Sequence, residues 1–439
     1  MTAVLLAALF AAGRVLTLEE AVNASRQHQP QLREARANTD AAVARADEAR
    51  APLLPQLNAT ATYLRTTSNL IPQPGVNTTN GGTTTTTGAG GAVVDTDTGS
   101  NLHLHNNWRD SIALTQLIYD FGLSIDRWKA AKAQADAQRA TELSTILQSD
   151  FTVRSTFFLT RADKALVKVA QDTLDQQIKH RQQTEGFVRA GTQPEIALAQ
   201  AKTNEANARV SLIQAQNNYE TAKVTLNQAM GSEDNTDYDV DDTPFPLIDV
   251  EDGQMDPLLA EAIKARPEVA SIQELIRVNE LTISSVRGNY LPSIAGQANF
   301  TQGGPSLDNL GYNFNFGVGL TWNLFGGGLT VAQVHEAQAN LGNVLAQLDL
   351  EKLQIRVDVN AAMLAVRAAK SSLSATAEAL ENAKLQLKLA EQRYQVGVGS
   401  SIELTDAQVA LTAASGQSVQ ADDNLSTARA QLLRALGRQ

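Results

Sequence analysis

The sequence predicts a mixed α and β membrane protein, in which a few strands of an oligomeric β-barrel alternate with very long helices and the order of elements occurs twice. The first observation behind this is residues 311–325. Tyr312, Phe314, Phe316, Val318, Leu320, Trp322 and Leu324 fall on one side, and Asn313, Asn315, Gly317, Gly319, Thr321 and Asn323 fall on the other. Strict alternation over thirteen residues is long and regular for a strand of a soluble sheet. At about 3.3 Å per residue and a tilt of about 40°, such a strand rises on the order of 30 Å, enough to cross the apolar layer of an outer membrane. The large apolar side would meet lipid and the small, amide-rich side water. Alternation alone also fits a sandwich strand packed on a second sheet. The other two observations are an apolar heptad along one long helix and a repeat of landmarks at a fixed offset.

Composition narrows the class. In 439 residues only 5% are aromatic, which suits thin, extended packing better than a large compact core. The absence of cysteine excludes disulfides, thiolate metal sites and a cysteine nucleophile. A net charge of −11 with no basic face argues against nucleic acid as a partner. No apolar run reaches the length of a transmembrane helix. The run from Val4 to Ala12, followed by Gly13, has the length and small-residue end of a signal-peptide core, without the basic residue that usually precedes one. Residues 1–13 are therefore expected to be a signal-peptide remnant.

Taken in order, residues 18 to about 50 read as Ala-rich helix interrupted at Pro30 and stopped by Pro52 and Pro55. Leu57, Ala59, Ala61 and Tyr63 alternate with Asn58, Thr60 and Thr62 as a short strand. Residues 66 to about 106 form a Thr-, Gly- and Asn-rich exposed loop. A second strand runs from about 108 to 119 with Trp108, Ile112, Leu114 and Ile118 on one side, interrupted there by Asp110 and Gln116. A helix without proline follows from 123 to about 188, then a glycine-bearing break at Arg189, Ala190, Gly191 and Thr192, and another helix to Met230 and Gly231. Residues 232–256 hold ten acidic and no basic side chains and read as a solvated connector.

After that linker the order recurs. Pro30 to Pro55 spans 25 residues, as does Pro267 to Pro292, after which Ile294, Gly296, Ala298 and Phe300 alternate. Leu114, Thr115, Ile118 and Gly122 recur at Leu320, Thr321, Leu324 and Gly328, an offset of 206 that also carries Arg161, Leu174, Gly191, Ala222, Leu226 and Gly231 onto Arg367, Leu380, Gly397, Ala428, Leu432 and Gly437. Two structural repeats, 14–231 and 257–439, joined by the acidic linker 232–256, follow from this. In the second repeat Leu345, Lys352, Val359, Val366, Leu373, Leu380, Leu387 and Tyr394 form one heptad seam, with Leu348, Ile355, Ala362, Ala369, Thr376, Ala383 and Ala390 as the smaller companion. The first repeat breaks its seam at Thr160 and Arg181, so its packing should be looser or more polar.

Each repeat supplies two strands. Four strands cannot close a barrel, and open edges in lipid leave backbone groups unsatisfied at several kcal/mol each. Several chains must therefore associate around a water-filled lumen.

The chain resembles the TolC family of outer-membrane efflux proteins from about residue 18 to 437. The resemblance is carried by the Pro30/Pro55 and Pro267/Pro292 units, the turns at Tyr119, Asp120, Phe121, Gly122 and at 325–328, and the run Arg393, Tyr394, Gln395, Val396, Gly397, Val398. It implies a homotrimer with a twelve-stranded outer-membrane β-barrel, four strands per chain, continued by a long α-helical coiled-coil barrel, with the acidic linker in an equatorial region. The strand residues 312, 314, 316, 318, 320, 322 and 324 would then touch outer-membrane lipid.

The same resemblance implies site residues. Ala190, Gly191 and Thr192, with Val396, Gly397 and Val398, match the tip turns that dock a periplasmic adaptor, though glycines at helix ends also serve simply as left-handed turn residues. Glu403 and Asp406 match acids that narrow the entrance, and Tyr394 matches a tyrosine of the closing network. The acids share one helix face and a helix N-terminus, where acids are also favoured by the dipole. Gly399 stands where that network has an arginine, and Ala197 where it has an acid. No catalytic, cofactor or metal site is expected. His103 and His105 beside Asp110 make an incomplete ligand set, and neither a GxxxxGK[ST] nor a GxGxxG arrangement occurs. The expected function is a passive exit duct of a tripartite efflux or type I secretion system, worked by an adaptor and an inner-membrane transporter of a Gram-negative bacterium. The competing classes are a barrel-anchored coiled-coil surface protein without transport and a soluble helical scaffold.

Overall fold

A computed structural model describes residues 14–67, 104–233, 238–249, 251, 253–396 and 398–438. The expected signal remnant, most of the 66–106 loop, His103, the side chain of His105 and the turn residue Gly397 lie outside the described residues. The elements run β1 (Arg14–Leu16), α1 (Leu18–His28), α2 (Pro30–Arg50), β2 (Gln56–Thr67), β3 (Leu104–Tyr119), α3 (Leu123–Arg189), α4 (Glu195–Met230), β4 (Tyr238–Val240), α5 (Met255–Ala265), α6 (Pro267–Gly288), β5 (Ser293–Ser306), β6 (Asn309–Thr321), α7 (Leu329–Gln395) and α8 (Ser401–Ala435). Helices α3 and α7 are each 67 residues long, and α1 and α5 are each 11.

Local chemistry sets the boundaries. Thr17 caps α1 in a reciprocal capping box with Glu20. Gln29 and Arg266 are extended, as residues before proline prefer, so Pro30 and Pro267 each open a new helix at the position where a missing N–H costs nothing. Gly231 (φ +70°) ends α4 against that first joint, where a Cβ would lie 2.6 Å from the Gln29 Cα. Gly437 (φ +72°) meets the second joint, 3.0 Å from the Ala265 carbonyl carbon. Only glycine combines that backbone conformation with so close an approach.

The chain divides into two compact units. The unit formed by Val43–Ala133 and Arg277–Gly342 contains a four-stranded sheet of order β2-β3-β5-β6 in which every neighbouring pair is antiparallel. Two boundaries differ from expectation. Strand β3 starts at Leu104, inside the stretch read as loop, because β2 extends to Thr67 and pairs with it there. Strand β6 stops at Thr321, so Trp322 and Leu324 lie beyond it although the alternation continues through them. The Trp322 Nε1–H donates to the Tyr290 carbonyl at 3.0 Å, and Gly327 and Gly328, both at positive φ, turn the chain into α7.

The unit formed by Met1–Ala42, Gln134–Ile276 and Asn343–Gln439 holds the helical core. In the second half of the chain, Ile355, Val359, Ala362, Val366 and Ala369 of α7 are buried with Leu425, Ala428 and Leu432 of α8 and Leu258, Leu259 and Ala262 of α5. Burial of each larger side chain contributes about 1.5–3 kcal/mol. The α7 seam starts later than the heptad suggests, since Leu345 is exposed and Lys352 only half-buried. In the first half, Val153, Phe157 and Phe158 of α3 pack on Leu226 and Ala229 of α4 and on Leu16, Ala21 and Val22. The seam break at Thr160 is buried, its hydroxyl donating to the Thr156 and Ala222 carbonyls at 2.7 and 3.3 Å. At the other break, Arg181 donates to Glu205 of α4 and to Glu185.

The acidic linker is a docked segment, not the solvated connector expected from its charge, and Met255 and Asp256 already belong to α5. Strand β4 pairs in parallel with β1. Tyr238, Val240 and Phe245 are buried. Lys164 pairs with Asp239 at 2.9 Å and Asp242 at 3.1 Å, and donates to the Val240 carbonyl. Glu251 is 3% exposed and is held by Arg429 and by Lys370 at 2.7 Å. Among the described residues, three of the ten acids, Asp239, Asp242 and Glu251, are thus paired with cations drawn from α3, α7 and α8.

Candidate functional sites: a two-faced sheet and a helix-turn cluster

Residues directly opposite in a ladder share a face, so the register sorts the sheet's side chains. One face carries the rows Leu57, Leu114, Ala298, Phe316 and Ala59, Ile112, Phe300, Phe314. Tyr63 and Trp108 pair on it with ring centroids 4.4 Å apart, and Phe300 stacks against Tyr312 at 6.5 Å. Tyr312, Phe314, Phe316, Val318 and Leu320 are all exposed there, Phe316 at 81%. Trp322 and Leu324 are exposed as well. The other face carries Asn58, Ala113, Asn299, Asn315 in one row and Thr60, Ser111, Thr301, Asn313 in the next. Of the two polar interruptions on the apolar face, Gln116 has a local use: its amide donates to the Leu53 carbonyl at 3.0 Å and ties down the proline turn. A β-bulge at Ile118 brings Tyr119 opposite Ile294, adding a tyrosine to the apolar face.

At the end of α3, Gly191 (φ +76°) takes the left-handed position of a closing turn, with Thr192 N–H donating to the Phe187 carbonyl at 2.9 Å and Gly191 N–H to that of Val188 at 3.0 Å. Ala190 precedes it, its own N–H donating to the Gly186 carbonyl. At the end of α7, Val398 N–H donates to the Arg393 carbonyl at 3.0 Å, and Ser400 caps α8 by accepting from Glu403 N–H at 3.1 Å. Val396 and Val398 are exposed on this turn. Bare valines at a polar helix end are an unpartnered apolar surface.

Tyr394, expected with Glu403 and Asp406 at the entrance as part of a closing network, is a core residue of this cluster. It is 4% exposed and packs with Leu387, Ala390, Leu404 and Ala407, because its heptad position points at α8 and α3. Its ring lies 5.5 Å from His180 and edge-on to Phe187 at 5.8 Å. Its hydroxyl accepts from Gln193 Nε2 at 3.1 Å and lies 3.5 Å from Thr184 Oγ1. Burial pushes the His180 imidazole below its ordinary pKa and so favours the neutral ring. Glu403 pairs with Arg393 at 3.3 Å, whereas Asp406, one turn on, is exposed without a partner among the described residues.

Sequence reasoning missed Gln193, His180 and Thr184. Gln193 was within reach, since the offset of 206 sets it opposite Gly399. Thr173, Gln177, His180 and Thr184 follow a 4-3-4 spacing, a polar seam hidden by the search for apolar ones. Two of them meet α8 directly: Thr173 hydrogen-bonds Thr412 at 3.0 Å and Gln177 donates to Gln408 at 2.8 Å.

The profile of the family described as outer membrane efflux protein matches residues 21–232 and 258–438. The chain is 27% identical over 322 residues to the solvent efflux pump outer membrane protein SrpC of Pseudomonas putida, an alignment covering 70% of this chain and 64% of that relative's length. Among solved structures it resembles the outer membrane protein VceC of Vibrio cholerae, with a TM-score of 0.79 at 17% identity over 96% of both chains. It also resembles the open state of the MtrE outer membrane channel of Neisseria gonorrhoeae, with a TM-score of 0.74 at 20% identity over 96% of this chain and 89% of that one. The structural likenesses show the shared fold, and the profile spans both halves of the sequence: the chain belongs to the outer membrane efflux protein family.

Proposed function

We propose that this chain is the outer-membrane exit duct of a tripartite efflux or type I secretion system in a Gram-negative bacterium. Three copies close a twelve-stranded β-barrel, and their helices form a coiled-coil barrel in the periplasm. The duct is passive, and no group of metal-ligating side chains gathers among the described residues. It is worked by an inner-membrane transporter through a periplasmic adaptor.

One observation carries this reading above all. The sheet is apolar and bare on one face, amide- and hydroxyl-lined on the other, and, among the described residues, open along β2 and β6 at both edges. Lipid satisfies the first face and water the second. Only further copies of the sheet satisfy the edges. The helices support the same assembly. Ile196, Val210 and Val224 of α4 recur at multiples of seven and are exposed, as are Leu350, Val357 and Leu364 of α7. Two different unfilled seams on one chain suit a heterologous contact, the kind that closes into a ring when the rotation between copies closes. The matching duplicated order, from α1 to α4 and from α5 to α8, supports an internal twofold repeat, so that one chain contributes two similar staves.

In this reading the turns at Ala190, Gly191, Thr192 and at Val396, Gly397, Val398 dock the adaptor, and Glu403 and Asp406 narrow the entrance. Planar-bilayer recording of the purified full chain tests the duct, with discrete conductance expected and a silent, membrane-inserted oligomer refuting it. Gly191→Val tests the docking turn, because a β-branched residue at φ +76° distorts it. Drug export should be lost while the oligomer still assembles. Unimpaired export in that variant would remove the turn from the docking surface.

A further inference from the structure

Among the described residues, the aqueous face of the sheet carries a single charge. Its described residues are amides, hydroxyls, glycines, alanines and two leucines, apart from Arg109 on β3. Arg109 stands opposite Thr62 on β2 and Gly303 on β5, and Gly303 in turn stands opposite Gly311 on β6. Two glycines in its row leave the guanidinium uncovered on that side, and its side chain is exposed. No carboxylate pairs with it among the described residues. The sequence neighbour Asp110 points to the opposite face by the alternation of the strand. Arg65, the other arginine of the four-stranded sheet, also lies on the apolar face, opposite Asn106. On its own face Arg109 is therefore an unneutralised, permanently charged group, one per chain, set among neutral side chains.

Resting on the duct reading above, we infer that Arg109 is a specificity-determining residue. It forms a cationic ring at the end of the barrel that lies toward the loop between β2 and β3, favouring the passage of anions and of solutes with an exposed carboxylate, sulfonate or phosphate group. A guanidinium binds such groups in a bidentate fork, and a ring of like charges lining an aqueous path raises the local concentration of counter-ions, here opposite in sign to those that Glu403 and Asp406 draw at the entrance. The rows below it, Thr60 to Asn313 and Asn58 to Asn315, supply hydrogen bonds without charge, so they solvate whatever passes without opposing the ring's sign.

The test is the reversal potential of single channels of the full-length protein under a potassium chloride gradient, for the native chain, Arg109→Gln, Arg109→Lys and Arg65→Gln. Arg109→Gln should lower the chloride-to-potassium permeability ratio by at least about twofold, and more at low salt, where screening lengths reach about 30 Å. Arg109→Lys should keep the native ratio, and Arg65→Gln, on the lipid-type face, should not change it. A conducting Arg109→Gln channel with the native ratio overturns the inference while leaving the duct intact. So does a Lys variant that behaves like Gln. A native protein that inserts and passes no current overturns the duct reading itself.

Discussion

Gln193 donates its side-chain amide to the phenolic oxygen of Tyr394 at 3.1 Å, tying the residue that leads into α4 to the last turn of α7. The link is a neutral hydrogen bond on a buried aromatic. Such a bond contributes on the order of 1 kcal/mol. Tyr394→Phe keeps the ring between His180 and Phe187 and removes only that acceptor. Amide exchange across 184–196 should rise about fivefold, the equivalent of roughly 1 kcal/mol of local opening. Adding Gln193→Ala to Tyr394→Phe should change little more. Fully additive effects would mean that the two residues do not act through each other.

Asp423 of α8 is buried, with Oδ2 accepting from Gln420 at 3.2 Å and Oδ1 without a partner among the described residues. Burial raises its carboxyl to about 6; Arg161 opposes the shift, and Asp163 and Asp422 add to it. Because the folded pKa is raised above the ordinary 3.8, the native state binds more protons between the two values. Stability should therefore fall as pH rises from about 4 to about 6 and level off above. Asp423→Asn removes that loss, on the order of 3 kcal/mol at pH 7. Thermal melts in detergent should show the variant above the native protein at pH 7 and level with it near pH 4. Equal shifts at both pH values would point to packing instead of charge.

Glu251 behaves in the opposite sense. Burial alone would raise its pKa, but hydrogen bonds from Arg429 and Lys370 outweigh burial and leave it below the ordinary 4.5. A depressed carboxylate stabilises the fold above its unfolded pKa and loses that contribution as pH falls through the folded value. Glu251→Gln leaves two cations facing a neutral group, and breaking a buried pair costs about 3–5 kcal/mol. Protease should then cut within 238–253 in the variant under conditions where the native chain resists. If the linker stays as resistant as before, Glu251 is not what holds it.

These clasps mark the limit of what could be read in sequence. Period-2 alternation at Tyr312 to Leu320 and period-7 spacing at Ile355 to Val366 are local, and both were legible from residue order alone. The linker was misread because its counter-ions are remote. Lys164, Lys370 and Arg429 are separated from Asp239 and Glu251 by dozens of residues or more, and composition cannot register them. Strand β1, three residues long, exists only because β4 pairs with it. Trp322 continues the alternation yet leaves the strand, since its indole N–H is claimed by the Tyr290 carbonyl. Tyr394 was found by pattern, but its depth depends on His180 and Phe187, which lie more than 200 residues earlier in the chain.

The two faces of β6 permit a test within two adjacent positions. Phe316 is 81% exposed on the apolar face, opposite Ala298, while Asn315 stands on the other face opposite Asn299. A charged residue on the lipid side of a barrel costs about 2–4 kcal/mol near the bilayer midplane, whereas the lumen side tolerates charge. Phe316→Arg should therefore reduce the folded, heat-resistant oligomer in outer-membrane fractions severalfold. Asn315→Arg should leave its amount unchanged and alter only conductance. A soluble sheet packed on another protein surface predicts a different outcome: Phe316→Arg would weaken that contact but leave membrane recovery as it was, because the chain would never have depended on lipid. Equal recovery of both variants would thus refute the assignment of the aromatic face to the bilayer.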